Sequence, residues 1–490
     1  RTGHRIMDSS GTSQGKMGYD NPALVGSTPS LSPPPYSEIK SEKQEALKTV
    51  FVVPSSSEKT LKDEYYNPYE NREVGHPVTF SDALFHILKA SLGTGILAMP
   101  NAFHNAGYLV GFIGTLFVGF LCTYCIHILI SSEYELCRRR KKPSMTYPET
   151  LEAAFLEGPA RFRWLSRYSD FAANLFLILY QIGSCCIYFV FASSNIKDVA
   201  DQYIRELDVR IYMLILLIPF ILINWVRDLK YLAPFSTIGN FITIISFGII
   251  AYYVFDDMPP VTSRSPVAPI GRLPLYFGTV LFAMEAIGVV MPIENELDTP
   301  ERFGSFFGVL NCAMLPIAVL YTVVGFFGYI KYGPEAAGSI TLNLPSDQLL
   351  AQSVKLMLSF TIFITHAIQC YVAIDIIWNQ KLKKHVTKNA LRWEYVTRTL
   401  IVFSTFFFAA VIPNLELFIS LIGAFCLSTM GLSFPALIQM LTFWDYYPGF
   451  CAKFIFLIKN LCIIAIALMG FVIGVTTSVH EIYLKFFAGL

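Results

Sequence analysis

Charge is scarce in this sequence: Asp, Glu, Lys and Arg make up 15% of its 490 residues, whereas 54% are hydrophobic. A water-soluble domain of this length would present far more charge, so most of the chain requires lipid as its solvent. The formal net charge of +1 excludes the basic footprint of a nucleic-acid-binding protein. No metal-binding cluster of His, Cys, Asp and Glu and no nucleophile–base constellation appears, so neither a metal, a cofactor nor an enzyme is expected. The ten cysteines fall nearly all inside apolar runs, and no disulfide is expected. Cys122 and Cys125 have the spacing of a redox or zinc pair, but within an apolar helix they read as small packing residues. The outer loops lack an Asn-X-Ser/Thr sequon, so N-glycosylation is not expected there. No cleavable leader precedes the first apolar span near Phe80, and Met7 rather than Arg1 is the expected initiator.

Residues 1–78 differ from the rest. Rich in Ser, Pro, Glu and Lys, they bury too little apolar surface to fold alone and read as a disordered cytosolic tail. Pro33-Pro34-Pro35-Tyr36 fits a ligand of WW-domain ubiquitin ligases, because the prolines preform the extended helix those grooves accept. Tyr36 to Ile39 fits a tyrosine-based signal for a sorting adaptor. Sharing Tyr36, the two readers are expected to exclude each other.

What the chain does have is a series of apolar runs of about 20 residues, the length that spans a hydrocarbon core. They lie near 80–106, 109–131, 168–194, 211–226, 232–255, 274–297, 305–329, 349–378, 397–413, 415–441 and 454–479, followed by a short non-cytosolic tail at 481–490. An all-α polytopic membrane protein with eleven transmembrane helices is therefore expected. Arg138 to Lys142, Arg227, Lys230 and the Lys381 to Arg392 cluster mark the cytosolic side. A thinner scatter of Lys197, Arg205, Arg210, Arg264, Arg272, Lys331 and Lys485 falls on the other.

Two of these spans carry interruptions. In the first, Ser91-Leu92-Gly93-Thr94-Gly95 is followed by Pro100; in the sixth, Glu285-Ala286-Ile287-Gly288 is followed by Pro292. Glycine and proline destabilise a continuous helix, and freed backbone groups at membrane depth must line a cavity or hold a ligand. The first and sixth spans correspond if the chain is two five-helix inverted repeats plus one helix, and paired breaks of this kind point to a transporter's midplane site. Half-helix N-termini would hold a substrate carboxylate, and exposed carbonyls an ammonium or cation. The plainer alternative is that Gly93, Gly95 and Gly288 permit close helix packing.

The ionisable residues near the breaks carry the chemistry. Histidine as a residue type changes charge near neutral pH; for His86, burial beside Lys89 is expected to disfavour the charge and Asp82 to favour it. Either it carries a coupling proton or it is a satisfied histidine bonded to a carbonyl. An intramembrane carboxylate is functional by default, so Glu285 either takes the proton or hydrogen-bonds the unwound backbone. Glu294 and Glu296 suit gating or interface solvation. Tyr180, Gln181, His366 and Gln369 are candidates for the pocket wall. Lys355 is expected to snorkel, and Lys459 to pair or face a cavity.

The stretch from His86 to Gly107 resembles the first helix of proton-coupled amino acid transporters, in the amino acid/auxin permease group. The resemblance continues in Gln181 to Phe191, Glu285 to Glu294, Gly338 to Pro345 and Ser353 to Leu356, and covers about residues 78–480. It implies a leucine-transporter-like inverted repeat and symport of protons with small neutral amino acids such as glycine, alanine and proline. It also implies work at the plasma membrane or the lysosome, with a role in nutrient signalling, and it places His86 at the family's proton-coupling histidine. Two departures stand out. Segments 199–210 and 330–348 lack the cysteines of the family's outer-loop disulfide, and Ala286 stands where relatives carry glycine.

The expected function is thus proton-coupled symport of small neutral amino acids by alternating access. The competing readings are an amino-acid sensor whose tail signals, and a sodium-coupled transporter of the same fold.

Overall fold

The computed structural model describes residues 66–486, except 73, 76, 92, 228–230, 285, 286, 387 and 448, and except the side chain of Ala233. The tail motif at Pro33, Pro34, Tyr36 and Ile39 and the expected initiator Met7 lie outside the described residues, as do Lys230 and the site candidates Leu92, Glu285 and Ala286.

Among the described residues the fold is helical, and the β-type contact is an isolated parallel bridge between Val78 and Leu297. The first span is α1 (Phe80–Ser91), α2 (Thr94–Leu97) and α3 (Met99–Ala106). Then come α4 (Tyr108–Arg140), α5 (Tyr147–Glu157), α6 (Ser166–Ala200), α7 (Val209–Asn224) and α8 (Ala233–Phe255). The sixth span is α9 (Leu273–Met284) and α10 (Ile287–Glu296). Beyond it lie α11 (Val309–Tyr332), α12 (Leu349–Ile374), α13 (Ala390–Val411), α14 (Leu415–Ile422), α15 (Phe434–Thr442) and α16 (Phe450–Phe486).

Nine helical stretches among the described residues are long and apolar enough to cross a membrane. The expected fourth span is the 16-residue α7, about 24 Å long and short of a 30 Å core. Large side chains such as Phe120, Ile218, Phe241, Ile244 and Ile455 are exposed around the bundle. Helical backbone with its polar groups satisfied internally, clothed in apolar side chains, is the surface that lipid tolerates.

Several boundaries differ from the sequence expectation. Helix α16 runs to Phe486 without a break at 480, because Ser478 and Ile482 continue its buried face. Helix α5 is a short amphipathic element not expected from hydropathy; it starts in a capping box of Thr146 and Glu149. Residues 66–78, expected to belong to a disordered tail, pack on the bundle: Val78 N–H donates to Glu296 O at 2.8 Å, and Asp298 N–H to Val78 O at 3.0 Å.

Lys355 does not snorkel. Its side chain is fully buried and paired with Asp198, and it donates to Leu344 O at 2.9 Å and Ser346 Oγ at 2.8 Å. Snorkelling lets a lysine escape an apolar site; here a carboxylate and two oxygens are supplied on the spot, so nothing drives it outward. Lys459 does pair: its Nζ reaches Gln439 Oε1 at 2.7 Å and lies over the Tyr124 ring. All ten cysteines are free.

Candidate functional site

The first span breaks where the glycines stand. Helix α1 is capped by Thr79, whose hydroxyl accepts from Asp82 N–H and donates to Asp82 Oδ2 at 2.7 Å. It ends at Ser91, and Gly93 is extended at φ −114°, ψ −151° before α2 begins. In the sixth span, α9 ends at Met284 and α10 begins at Ile287, on either side of the two residues outside the description. The first-span break meets the sixth span there: a Cβ on Gly95 would lie 2.7 Å from Ala283 Cα. Only glycine permits that approach, so the packing reading holds for Gly95. Gly93 and Gly288 are different, since a Cβ at either would meet open space. The glycines thus divide into one that joins the first span to the sixth and two that border room.

Polar groups converge on this region. Helix α2 packs against α6, α9 and α11. Thr94 Oγ1 and, from α6, Gln181 Oε1 and Ser184 Oγ are buried without hydrogen-bond partners. A buried polar atom with no partner costs about 1–3 kcal/mol, so three of them on neighbouring elements mark a place where a polar ligand or water completes the bonding. Tyr180 is buried with its ring 6.4 Å from that of Phe282 on α9. Ser91 and Ile287 are also buried; Ser91 Oγ donates to Ile87 O at 3.0 Å, and Ser91 O accepts from the Tyr321 hydroxyl.

Other expectations separate from the site. His86 is exposed rather than buried. The buried face of α1 is Ala83, Ile87 and Ser91, spaced four apart, and His86 lies off that face, about 100° around the helix. Its expected neighbours are otherwise engaged, Asp82 by Thr79 and Lys89 by Ser236 Oγ at 2.8 Å. His366 is fully buried between Phe189 and Phe220, with Nδ1 3.2 Å from Asn224 Nδ2 and Nε2 without a partner.

Sequence reasoning missed four features. Tyr321, one tyrosine in an apolar run, gave no periodic signal. The π-helical segment Gly423–Ser433 lies against α9, where a Cβ on Gly423 would meet Gly278 O at 1.9 Å; such irregular turns recur at functional sites. Ser184, one residue along α6 from a glycine, is the third unpartnered group.

The fourth omission is Arg72. Its guanidinium forks onto Glu294 with two bonds of 3.1 Å, donates to Glu294 O at 3.0 Å and to Pro143 O at 2.9 Å, and approaches Glu133 at 3.8 Å. All three side chains are 5% exposed or less. Burial works against the Arg72 charge, but Glu294 and then Glu133 hold its pKa above the ordinary arginine value. The neighbouring Tyr69 phenol is pushed well above its usual range by burial and by the same two carboxylates. This cluster ties the segment before α1 to the ends of α10 and α4, sealing the end of the bundle that bears Arg138 to Lys142. Glu294 is thus one half of a buried ion pair that joins these three segments at that end.

A sequence model of the transmembrane amino acid transporter protein family matches residues 76–480. The chain is 38% identical over 429 residues to the proton-coupled amino acid transporter-like protein pathetic of Drosophila melanogaster, covering 87% of this chain and 90% of that one. It is 25% identical over 429 residues to the probable amino acid transporter skat-1 of Caenorhabditis elegans, covering 84% and 92%. Among solved structures, a Na+-coupled sialic acid symporter in a substrate-bound outward-open state aligns with a TM-score of 0.46 at 13% identity, covering 86% and 92%.

Proposed function

On the premise that the chain belongs to the transmembrane amino acid transporter family, we propose that it is a proton-coupled symporter of small neutral amino acids. The observation that carries this reading is the broken first span seated against the sixth. Gly95 and Ala283 pin them together, Gly93 and Gly288 leave room, and Thr94, Gln181 and Ser184 offer unsatisfied polar atoms. A zwitterion of a few heavy atoms suits such a site, and the breaks are the natural hinges for alternating access. Similarity to a Drosophila protein described as proton-coupled supports the proton as coupling ion. Each pH unit supplies about 1.4 kcal/mol per proton, and each 100 mV about 2.3 kcal/mol per charge. One proton therefore drives substantial accumulation of a neutral zwitterion.

His86 and Glu285 are the proposed proton carriers. His86 is exposed on α1, five residues before that helix ends at Ser91. The proposed orientation has the N-terminus and Arg138 to Lys142 in the cytosol, at the plasma membrane or the lysosome, with Tyr36 read by a WW-domain ligase or a sorting adaptor.

The test is alanine-evoked current, compared at acidic and neutral pH and in sodium and choline. Current is expected to grow with acidity and to survive choline. A current that requires sodium and ignores pH overturns the reading. His86→Ala is expected to abolish pH-driven uptake while leaving membrane insertion intact, and pH-driven uptake at the wild-type level would remove His86 from the mechanism.

A further inference from the structure

Helix α4 spans from Tyr108 to the basic run at Arg138, so its Tyr108 end defines the face opposite the Arg72 cluster. There, above α3, a cavity of about 240 Å³ lies between the end of α3, the starts of α9 and α14 and the end of α16. Its rim carries two cations, Arg272 and Lys485, and two carboxylates, Glu416 and Glu481.

None of these four forms an ion pair among the described residues. Opposite charges around one cavity ordinarily collapse onto each other unless something holds them apart. Here neutral groups do so. Asn105, 2% exposed, donates to Glu416 Oε1 at 3.0 Å and to Asn101 Oδ1 at 3.2 Å, and Asn101 is anchored on Ala336 O at 2.8 Å. On the other side, Arg272 Nη1 lies 3.0 Å from His104 Nε2. The carboxylate is thus fixed by a buried amide and the guanidinium by an imidazole.

A ligand of one charge sign would meet attraction from half of this rim and repulsion from the other half. A ligand carrying both signs would meet attraction at both ends, through charge-assisted hydrogen bonds to each. The volume is on the order of eight water molecules, enough for a small amino acid and not for a peptide of several residues.

We propose that this cavity is a second binding site for a zwitterionic α-amino acid, with its carboxylate on Arg272 and its ammonium on Glu416 and Glu481. It stages substrate on the face from which the midplane site is loaded. The inference rests on the amino-acid transport reading above and adds to it a site that the breaks do not contain.

The test uses the full chain in proteoliposomes with labelled L-alanine. Arg272 and Glu481 are exposed, so Arg272→Gln and Glu481→Gln are expected to fold and insert normally. Each is expected to raise the apparent KM for alanine by roughly tenfold or more, the effect of losing one charged hydrogen bond, with Vmax near wild type. Arg272→Lys is expected to recover part of the loss. Equilibrium binding in detergent is expected to fall from two alanines per chain to one in Arg272→Gln. Propionate and ethylamine, each carrying one end of the zwitterion, are expected not to displace the second alanine. A wild type that moves no alanine defeats the transport reading itself. A wild type that moves alanine, with both variants at wild-type KM and stoichiometry, defeats only this site.

Discussion

Replacing Gly95 with leucine is expected to reduce amino acid uptake by roughly 10- to 100-fold while the protein still inserts and is delivered. The first β-carbon alone would sit 2.7 Å from Ala283 Cα and 3.1 Å from Ala283 Cβ. The obstacle is backbone, which cannot rotate aside, so the first and sixth spans must separate. Overpacking of this kind costs about 1–3 kcal/mol and sometimes more, and here the whole strain falls on the junction around which transport is proposed to turn. Gly93→Ala is the matched control. Gly93 has φ −114°, which any residue adopts, and a Cβ there meets open space. That variant is expected to keep its fold, with any loss confined to substrate affinity. Uptake assays on both, normalised to surface biotinylation, decide the matter. Equal behaviour of the two variants would show that the contact at Gly95 does not matter.

Arg72→Ala is expected to unlatch the end of the bundle that bears the Arg138 run. The substitution leaves Glu294 and Glu133, 2% and 1% exposed, without their shared guanidinium. Removing one partner of a buried ion pair costs about 3–5 kcal/mol, and the readiest relief is for the segment before α1 to swing away and admit water. A built-in reporter lies beneath it. Cys137 is fully buried and its thiol donates to Glu133 Oε1 at 3.0 Å. Opening is expected to raise the rate of Cys137 alkylation by N-ethylmaleimide at least about 100-fold, given tenfold per 1.4 kcal/mol. Exposed Cys451 and Cys462 provide internal standards in the same mass spectrum. An unchanged Cys137 rate in a folded Arg72→Ala protein would mean that this cluster is not a latch. Arg72→Lys is expected to fall between, since a lysine keeps the charge but not the fork onto Glu294.

Much of this protein is legible in its sequence because lipid imposes a simple rule. A span must be apolar for about 20 residues and must satisfy its own backbone. That rule locates the helices, and it makes Gly93-Thr94-Gly95 and Gly288 conspicuous as places where it is broken. Gln181 and Thr94 followed from the same logic, polar groups where polarity is costly, and both are buried without partners.

The sequence by itself determined that the chain is a helical membrane protein, where most of its long apolar helices lie and that the first is interrupted. Each follows from local composition read against a uniform solvent. Only the tertiary structure decided which glycine joins the first span to the sixth and which border space, because that depends on what lies across from each Cβ. It alone turned His86 outward, buried Lys355 against Asp198 and brought Arg72 across 222 residues to Glu294. Pairings between charges far apart in the chain leave no periodic trace; they exist only once the helices have packed and removed the water between them.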